Sequence, residues 1–152
     1  MFNSVALLQY FEEHKALPHV SQYHKEDYPQ HCLLVISEIL KRTTDSAIII
    51  AACLHDIAKP RTQGYNQRNE PCFIGHETVT DEELSLFLSL DDSRYAQVKA
   101  LVLCHMVPYR LLEAKDYDKS FRRSCRKNLK LGNLDFEVTD ELIRGVTILH
   151  EA

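Results

Sequence analysis

Long hydrophobic runs are missing from this chain, and so is the basic start of a secretory signal. The longest apolar segment, Ala47–Leu54, falls far short of the ~20 residues that cross a bilayer. The first residues, Met1–Ser4, carry no lysine or arginine. The sequence therefore predicts a cytoplasmic protein with no membrane partner.

Paired cysteines and an excess of positive charge are missing as well. The five cysteines are odd in number, widely spaced and without a Cys-x-x-Cys pair, which argues against a disulfide framework and against a zinc ribbon. Cys32, Cys53 and Cys104 fall in apolar segments and are expected to be buried, reduced thiols. The formal net charge of -4 offers no general attraction to nucleic acid, so any binding of a polyanion has to be local.

What is present is the periodicity of helices. At 152 residues and 17.6 kDa, the chain is expected to form one domain over residues 1–152. Apolar residues recur at helical spacing, which predicts an all-α fold, a compact bundle of about six to seven helices. The predicted helices cover residues 5–17, 29–42, 47–58, 76–90, 93–107, 118–130 and 139–150. The polar segment 60–75 is predicted to be a functional loop.

Four histidines and one aspartate stand where an uncompensated polar side chain would be costly. His55 and Asp56 end the longest apolar run, and His31, His76 and His105 each lie within or beside an apolar segment. Taken singly, such a histidine is more often a hydrogen-bonded structural residue than a ligand. Together they fall near the ends of predicted helices, and helix ends that meet in space can build one metal site.

These residues divide into two sets of metal ligands. His31, His55 and Asp56 would hold a first metal ion, and Asp56 would bridge to a second ion held by His76 and His105. Neutral imidazoles and carboxylates suit manganese, iron, cobalt, nickel and zinc, and the sequence does not select among them. The expected cofactor is one or two divalent transition-metal ions.

The order of these ligands resembles the HD superfamily of metal-dependent phosphohydrolases. The segments HDIAKP at residues 55–60 and FIGHE at residues 73–77 are most similar to the HD domains attached to some bacterial CCA-adding tRNA nucleotidyltransferases. The similarity extends over roughly residues 28–110. It implies an all-α HD-type domain that hydrolyses phosphate esters through a metal-activated water.

The resemblance also implies roles for single residues. Two metal ions about 3.5–4 Å apart would clamp a phosphoryl group, with Asp56 as the catalytic bridging ligand. Lys59, one turn after His55, is expected to be catalytic and substrate-binding, because it could neutralise charge on a phosphate oxygen. Glu77 is expected to be an exposed helical residue. The other histidines are expected at the surface or in loops: His14, His19, His24 and His150.

HD-superfamily sites usually add a final aspartate from a C-terminal helix. The last predicted helix ends in LHEA at residues 149–152, with no aspartate. The role is expected to fall to a position past Ala152, to a water molecule, or to one of four acidic residues: Asp116, Asp135, Asp140 or Glu151.

A basic cluster is the second feature of interest. Its helical face carries Lys119, Arg122, Arg123, Arg126 and Lys130. Arg122 and Arg126 are predicted to bind substrate phosphate, although a solvated face is the commoner explanation of such a cluster. Because no Gly-rich phosphate loop or aromatic RNA motif accompanies it, a small nucleotide or an RNA end is a better candidate than a long duplex.

The leading hypothesis is a metal-dependent phosphohydrolase, either a phosphomonoesterase or a phosphodiesterase, acting on a nucleotide or a nucleic-acid end. The expected partner is a small phosphorylated ligand, and the resemblance suggests 2′,3′-cyclic phosphates and 2′-nucleotides. One alternative is an HD-type di-iron oxygenase of a small alcohol or phosphonate. Another is a degenerate HD module that binds a nucleotide without turnover.

Overall fold

The computed structural model describes residues 1–21, 24–111 and 115–152. In chain order its elements are α1 (Ser4–Glu13), α2 (Tyr28–Arg42), α3 (Ser46–Leu54), α4 (Lys59–Thr62), β1 (Gly64–Tyr65), β2 (Pro71–Cys72), α5 (Asp81–Leu84), α6 (Tyr95–Cys104), α7 (Val107–Arg110), α8 (Tyr117–Leu131) and α9 (Asp140–Glu151). The all-α prediction is confirmed, because the strands described are one short antiparallel hairpin. No helix in the described part of the chain is long and apolar enough to cross a membrane.

Helix α3 lies at the centre of the fold. It is apolar on every side, and its buried residues include Ile48, Ile50 and Leu54. Such a helix has to be covered all round, and α2, α6 and α9 pack against it. Each fully buried leucine or isoleucine contributes about 1.5–3 kcal/mol. The surrounding core therefore fixes the carboxyl end of α3, where His55 and Asp56 follow.

The prediction of one helix over residues 76–90 is wrong. The chain there forms the single turn α5, which begins with a capping box between Thr80 and Glu83. Beyond α5 the backbone pairs with the N-terminus, since Asn3 N–H donates to the Phe87 carbonyl over 2.6 Å. The chain after α5 is therefore joined to the N-terminal segment, where Phe2 and Leu88 form an isolated antiparallel bridge.

Three predicted helices end earlier than expected, each just before a histidine. Helices α1, α3 and α6 stop before His14, His55 and His105. In each case the Nδ1–H of the ring donates to a carbonyl of the last helical turn. The imidazole gives a carbonyl of the last turn a side-chain donor, which at Tyr10 and Val102 adds to the backbone N–H of the same histidine. The segment 60–75, predicted to be a loop, contains most of α4 and both strands of the hairpin.

Gly132 allows α6 and α8 to approach closely. Its φ of -84° suits any residue, but a Cβ there would lie 2.6 and 2.7 Å from the methyl carbons of the buried Leu103. We expect Gly132→Ala to lower the free energy of unfolding by about 1–3 kcal/mol through overpacking. Urea denaturation followed by circular dichroism measures this difference.

The matched control is Gly64→Ala, where the nearest atom to a new Cβ is Cys72 Sγ at 3.8 Å. This distance is ordinary van der Waals contact, so the control should unfold close to the wild-type midpoint. Equal stability of the two variants would contradict the close approach at Gly132.

Candidate metal centre

The ends of several elements bring the predicted ligands to one cavity. His55 and Asp56 follow α3, and His105 follows α6, which packs against α3. His31 lies in the first turns of α2, and His76 lies between the hairpin and α5. All five side chains line the same cavity, of about 660 Å³. The order of these residues in the sequence predicted one common site, and the packing of the helices brings their side chains together in space.

Each of the four rings is fixed by a hydrogen bond through Nδ1. The partners are oxygens that can only accept, so Nδ1 carries the proton and Nε2 keeps its lone pair in the neutral ring. Outer contacts of this kind are typical of metal-binding histidines. The Nδ1–H donates to the carbonyl three residues earlier in His55 (2.7 Å), His76 (2.9 Å) and His105 (2.6 Å), and to Glu26 Oε1 in His31 (3.0 Å).

The four Nε2 atoms converge on the carboxylate of Asp56. Those of His31 and His55 each lie 3.0 Å from Oδ2, while those of His76 and His105 lie 3.2 and 3.9 Å from Oδ1. The Nε2 atoms of His76 and His105 are themselves 3.1 Å apart. Lone pairs that face a carboxylate and each other at these distances repel. Metal ions, or protons in their place, are required among them.

Asp56 is the hub of this cluster. Its side chain is buried, and among the described residues no donor meets Oδ2 in hydrogen-bonding geometry. Burial opposes its ionisation, but the attraction of His55 in its protonated form and of the Lys59 ammonium outweighs burial and holds the pKa of Asp56 well below its usual value. The backbone is anchored too, since Tyr28 Oη donates to the Asp56 carbonyl over 2.8 Å.

The donor set therefore fits one or two divalent ions. The ligand atoms of His31, His55 and Asp56 lie within 4.8 Å of one another, and so do those of Asp56, His76 and His105. Asp56 belongs to both groups, as the sequence predicts for a bridging ligand. Neutral imidazoles with one carboxylate suit transition metals from manganese to zinc.

Lys59 is held beside the cluster by a residue that the sequence analysis missed. Its ammonium is buried, 3.2 Å from Asp56 Oδ2, and donates to His19 Nε2 over 2.8 Å. The Nδ1–H of His19 donates in turn to the Glu26 carbonyl over 3.0 Å, which leaves Nε2 as an acceptor. The Lys59 ammonium also lies 5.1 Å from the centre of the Phe73 ring. Lys59 therefore has a fixed position at the cavity wall.

The remaining histidines were expected at the surface or in loops, and His19 does lie in a loop, but it is buried there, at 2% exposed. The His24 ring stacks on it with centroids 4.6 Å apart and lines the cavity. Burial, followed by the Lys59 charge, lowers the pKa of His19 and lowers that of His24 to about 4. His150 also lines the cavity, against Tyr109.

Glu77 is buried, contrary to the expectation that it is an exposed helical residue. It is 6% exposed and forms an ion pair with Arg110, the last residue of α7. A buried carboxylate is costly unless it is paired. The Arg110 guanidinium supplies the compensating positive charge from a position 33 residues later in the chain.

The predicted substrate residues of α8 are not brought to this cavity. Arg122 pairs with Asp118 and Asp140 at the surface, and Arg126 lines a separate hollow of about 450 Å³. Segment 60–75, in contrast, contributes several of its residues to the wall of the metal cavity. The chemistry of the cavity therefore depends on its own side chains rather than on the basic face of α8.

The four acidic candidates for a final ligand also lie elsewhere. Asp116 caps α8, Asp135 lines the separate hollow, Asp140 pairs with Arg122, and Glu151 is exposed. None of the four is among the described residues that line the metal cavity, whereas Ala152 is.

The sequence profile of the HD domain matches residues 28–150, which is most of the chain. The chain belongs to the HD-domain family. HD domains bind divalent metal ions and are usually metal-dependent phosphohydrolases, and the His/Asp cluster described above is a donor set for such ions. A search of curated proteins and a search of solved structures each found no match. The similarity to the HD domains of CCA-adding enzymes therefore stays a prediction.

Proposed function

We propose that this HD domain is a metal-dependent phosphohydrolase, a phosphomonoesterase or phosphodiesterase, that acts on a nucleotide or a nucleic-acid end. The observation that carries the proposal is the convergence of four fixed Nε2 lone pairs on the two oxygens of Asp56. Such a cluster is stable when cations compensate it, and it opens on a cavity that can admit a substrate.

The ligand residues would be His31, His55, Asp56, His76 and His105. A divalent ion bound by them would supply a Lewis acid for the phosphoryl group and lower the pKa of a bound water. Three backbone carbonyls and the Glu26 carboxylate hold the rings in place by accepting from their Nδ1–H groups. Lys59, fixed between His19 and Asp56, places a positive charge at the cavity wall, where it would bind a non-bridging phosphate oxygen.

The cavity supports a nucleotide as the substrate class. Its volume of about 660 Å³ is within the range of small-molecule sites, roughly 300–1,000 Å³. One part of the wall carries the charged cluster, and much of the rest is apolar, with Val35, Ile74 and Leu149 among its residues. A charged phosphate and a flat, weakly polar base match these two kinds of lining.

The experiment is metal analysis of the purified protein together with hydrolysis of phosphate esters. Protein stripped with EDTA is reloaded with manganese, nickel or cobalt and given bis-p-nitrophenyl phosphate, then 2′,3′-cyclic nucleotides and 2′-nucleotides. We expect metal-dependent release of product from at least one of them. Bound iron with oxygen consumption and no hydrolysis would identify an oxygenase instead. Metal without turnover of any substrate would indicate a binding module.

A further inference from the structure

Arg110 is a cation of the cavity wall whose donors are largely unused. Its side chain is 50% exposed, and one guanidinium nitrogen donates to Glu77. An arginine side chain has five N–H donors in a planar fork. Among the described residues, no other acceptor contacts this guanidinium. The remaining donors are therefore available to a ligand.

Glu77 gives this guanidinium a fixed orientation. Its side chain is 8% exposed and follows directly after His76, one of the proposed ligands. Arg110 follows His105 by little more than one helical turn. The pair thus spans the two segments that carry the histidines facing Asp56 Oδ1. Lys59 instead lies beside the other oxygen of the Asp56 carboxylate, Oδ2.

We propose that Arg110 binds phosphate oxygens of the substrate and that Glu77 is the positioning residue that holds it. The inference rests on the proposed function, because it takes the ligand to be a phosphate ester. The buried Lys59 donates to His19 and is ion-paired with Asp56, whereas Arg110 is half exposed and retains most of its donors. The planar fork of arginine matches two phosphate oxygens at once.

The test is calorimetric titration of inorganic phosphate into the manganese-loaded protein. We expect Arg110→Gln to weaken phosphate binding roughly ten- to a hundredfold, the effect of losing hydrogen bonds to a charged group. Metal content should stay at the wild-type level. Since Arg110→Gln leaves Glu77 buried without its partner, the double variant Glu77→Gln/Arg110→Gln is measured too. It removes both charges together, so no unpaired carboxylate is left buried, and it should bind phosphate as weakly.

Arg61→Gln is the matched control. Arg61 pairs with Glu83 as Arg110 pairs with Glu77, and its side chain is 45% exposed, but it does not line the metal cavity. We expect phosphate binding by this variant to match the wild type. An equal loss in Arg61→Gln and Arg110→Gln would show a general effect of charge and overturn the assignment.

Two further outcomes would also overturn it. One is wild-type phosphate binding by both Arg110 variants. The other is loss of bound metal in both, which would show that the pair only supports His76. If the wild type binds phosphate through Arg110 yet hydrolyses no ester, the proposed function fails while this inference stands. If esters are hydrolysed and phosphate binding does not depend on Arg110, only the inference fails.

Discussion

Asp56→Asn is expected to lose bound metal and, with it, the proposed hydrolysis of phosphate esters. The carboxylate faces all four Nε2 atoms. Asparagine removes the negative charge, and its NH2 group would donate to a histidine lone pair that a metal ion needs. Even changes to the outer partners of metal ligands cost ten- to a hundredfold in affinity or activity. We therefore expect hydrolysis to fall by at least about a hundredfold, with metal measured by elemental analysis.

Asp45→Asn makes the same chemical change at the other end of α3. Asp45 caps the helix by accepting from Ala47 N–H over 2.9 Å, and asparagine caps a helix about equally well. This variant should keep its metal and its activity. Wild-type metal content in Asp56→Asn would refute the assignment of the carboxylate as the shared ligand.

The ligand cluster was predictable because its signals are local. Each proposed ligand stands at the end of an apolar segment, where a polar side chain needs compensation, and the His55-Asp56 pair follows the most apolar helix of the chain. An apolar helix has to be central, so residues at its end have to meet the ends of its neighbours. The all-α fold was predictable from the helical spacing of the apolar residues.

The surroundings of the cluster were not predictable in this way. His19 is buried because Lys59, 40 positions later, donates to it, and Glu77 is buried because Arg110 pairs with it. No local pattern reports a partner that distant. The course of the chain after α5 depends on a distant partner too, since the backbone at Phe87 pairs with Asn3. The capping box of Thr80 and Glu83 was the one local signal that could have corrected that helix.

Mild acid is expected to destabilise the metal-free protein before its carboxylates are protonated. Burial is the main cause that lowers the pKa of His19, His24 and His105, with Lys59 as the next cause for the first two and His76 for the third. In the unfolded chain a histidine has a pKa of about 6.5. Below that pH the unfolded chain takes up protons that the folded chain does not, so the free energy of unfolding falls.

The loss begins as the pH falls through about 6.5 and continues toward the lower pKa of the folded rings, about 4 for His24. A fully buried histidine of this kind costs about 1 kcal/mol by pH 5.5, and His24, with 32% of its side chain exposed, costs less. We expect the free energy of unfolding to fall by roughly 2–3 kcal/mol in all. Asp56 does not contribute to the loss of stability in this pH range. Because its pKa is lowered, its contribution is kept until the pH falls through the range where an unfolded aspartate is protonated, near 4.

Urea unfolding of the EDTA-treated protein at pH 7, 6 and 5 measures this dependence. His24→Gln removes one titrating ring that is not a proposed metal ligand, so its stability should fall less steeply with acid than that of the wild type. The metal-loaded protein should show a steeper fall, because protons displace the metal ion from the Nε2 atoms that both require. A free energy of unfolding that stays constant from pH 7 to 5 would mean that these rings do not enter the core as neutral groups.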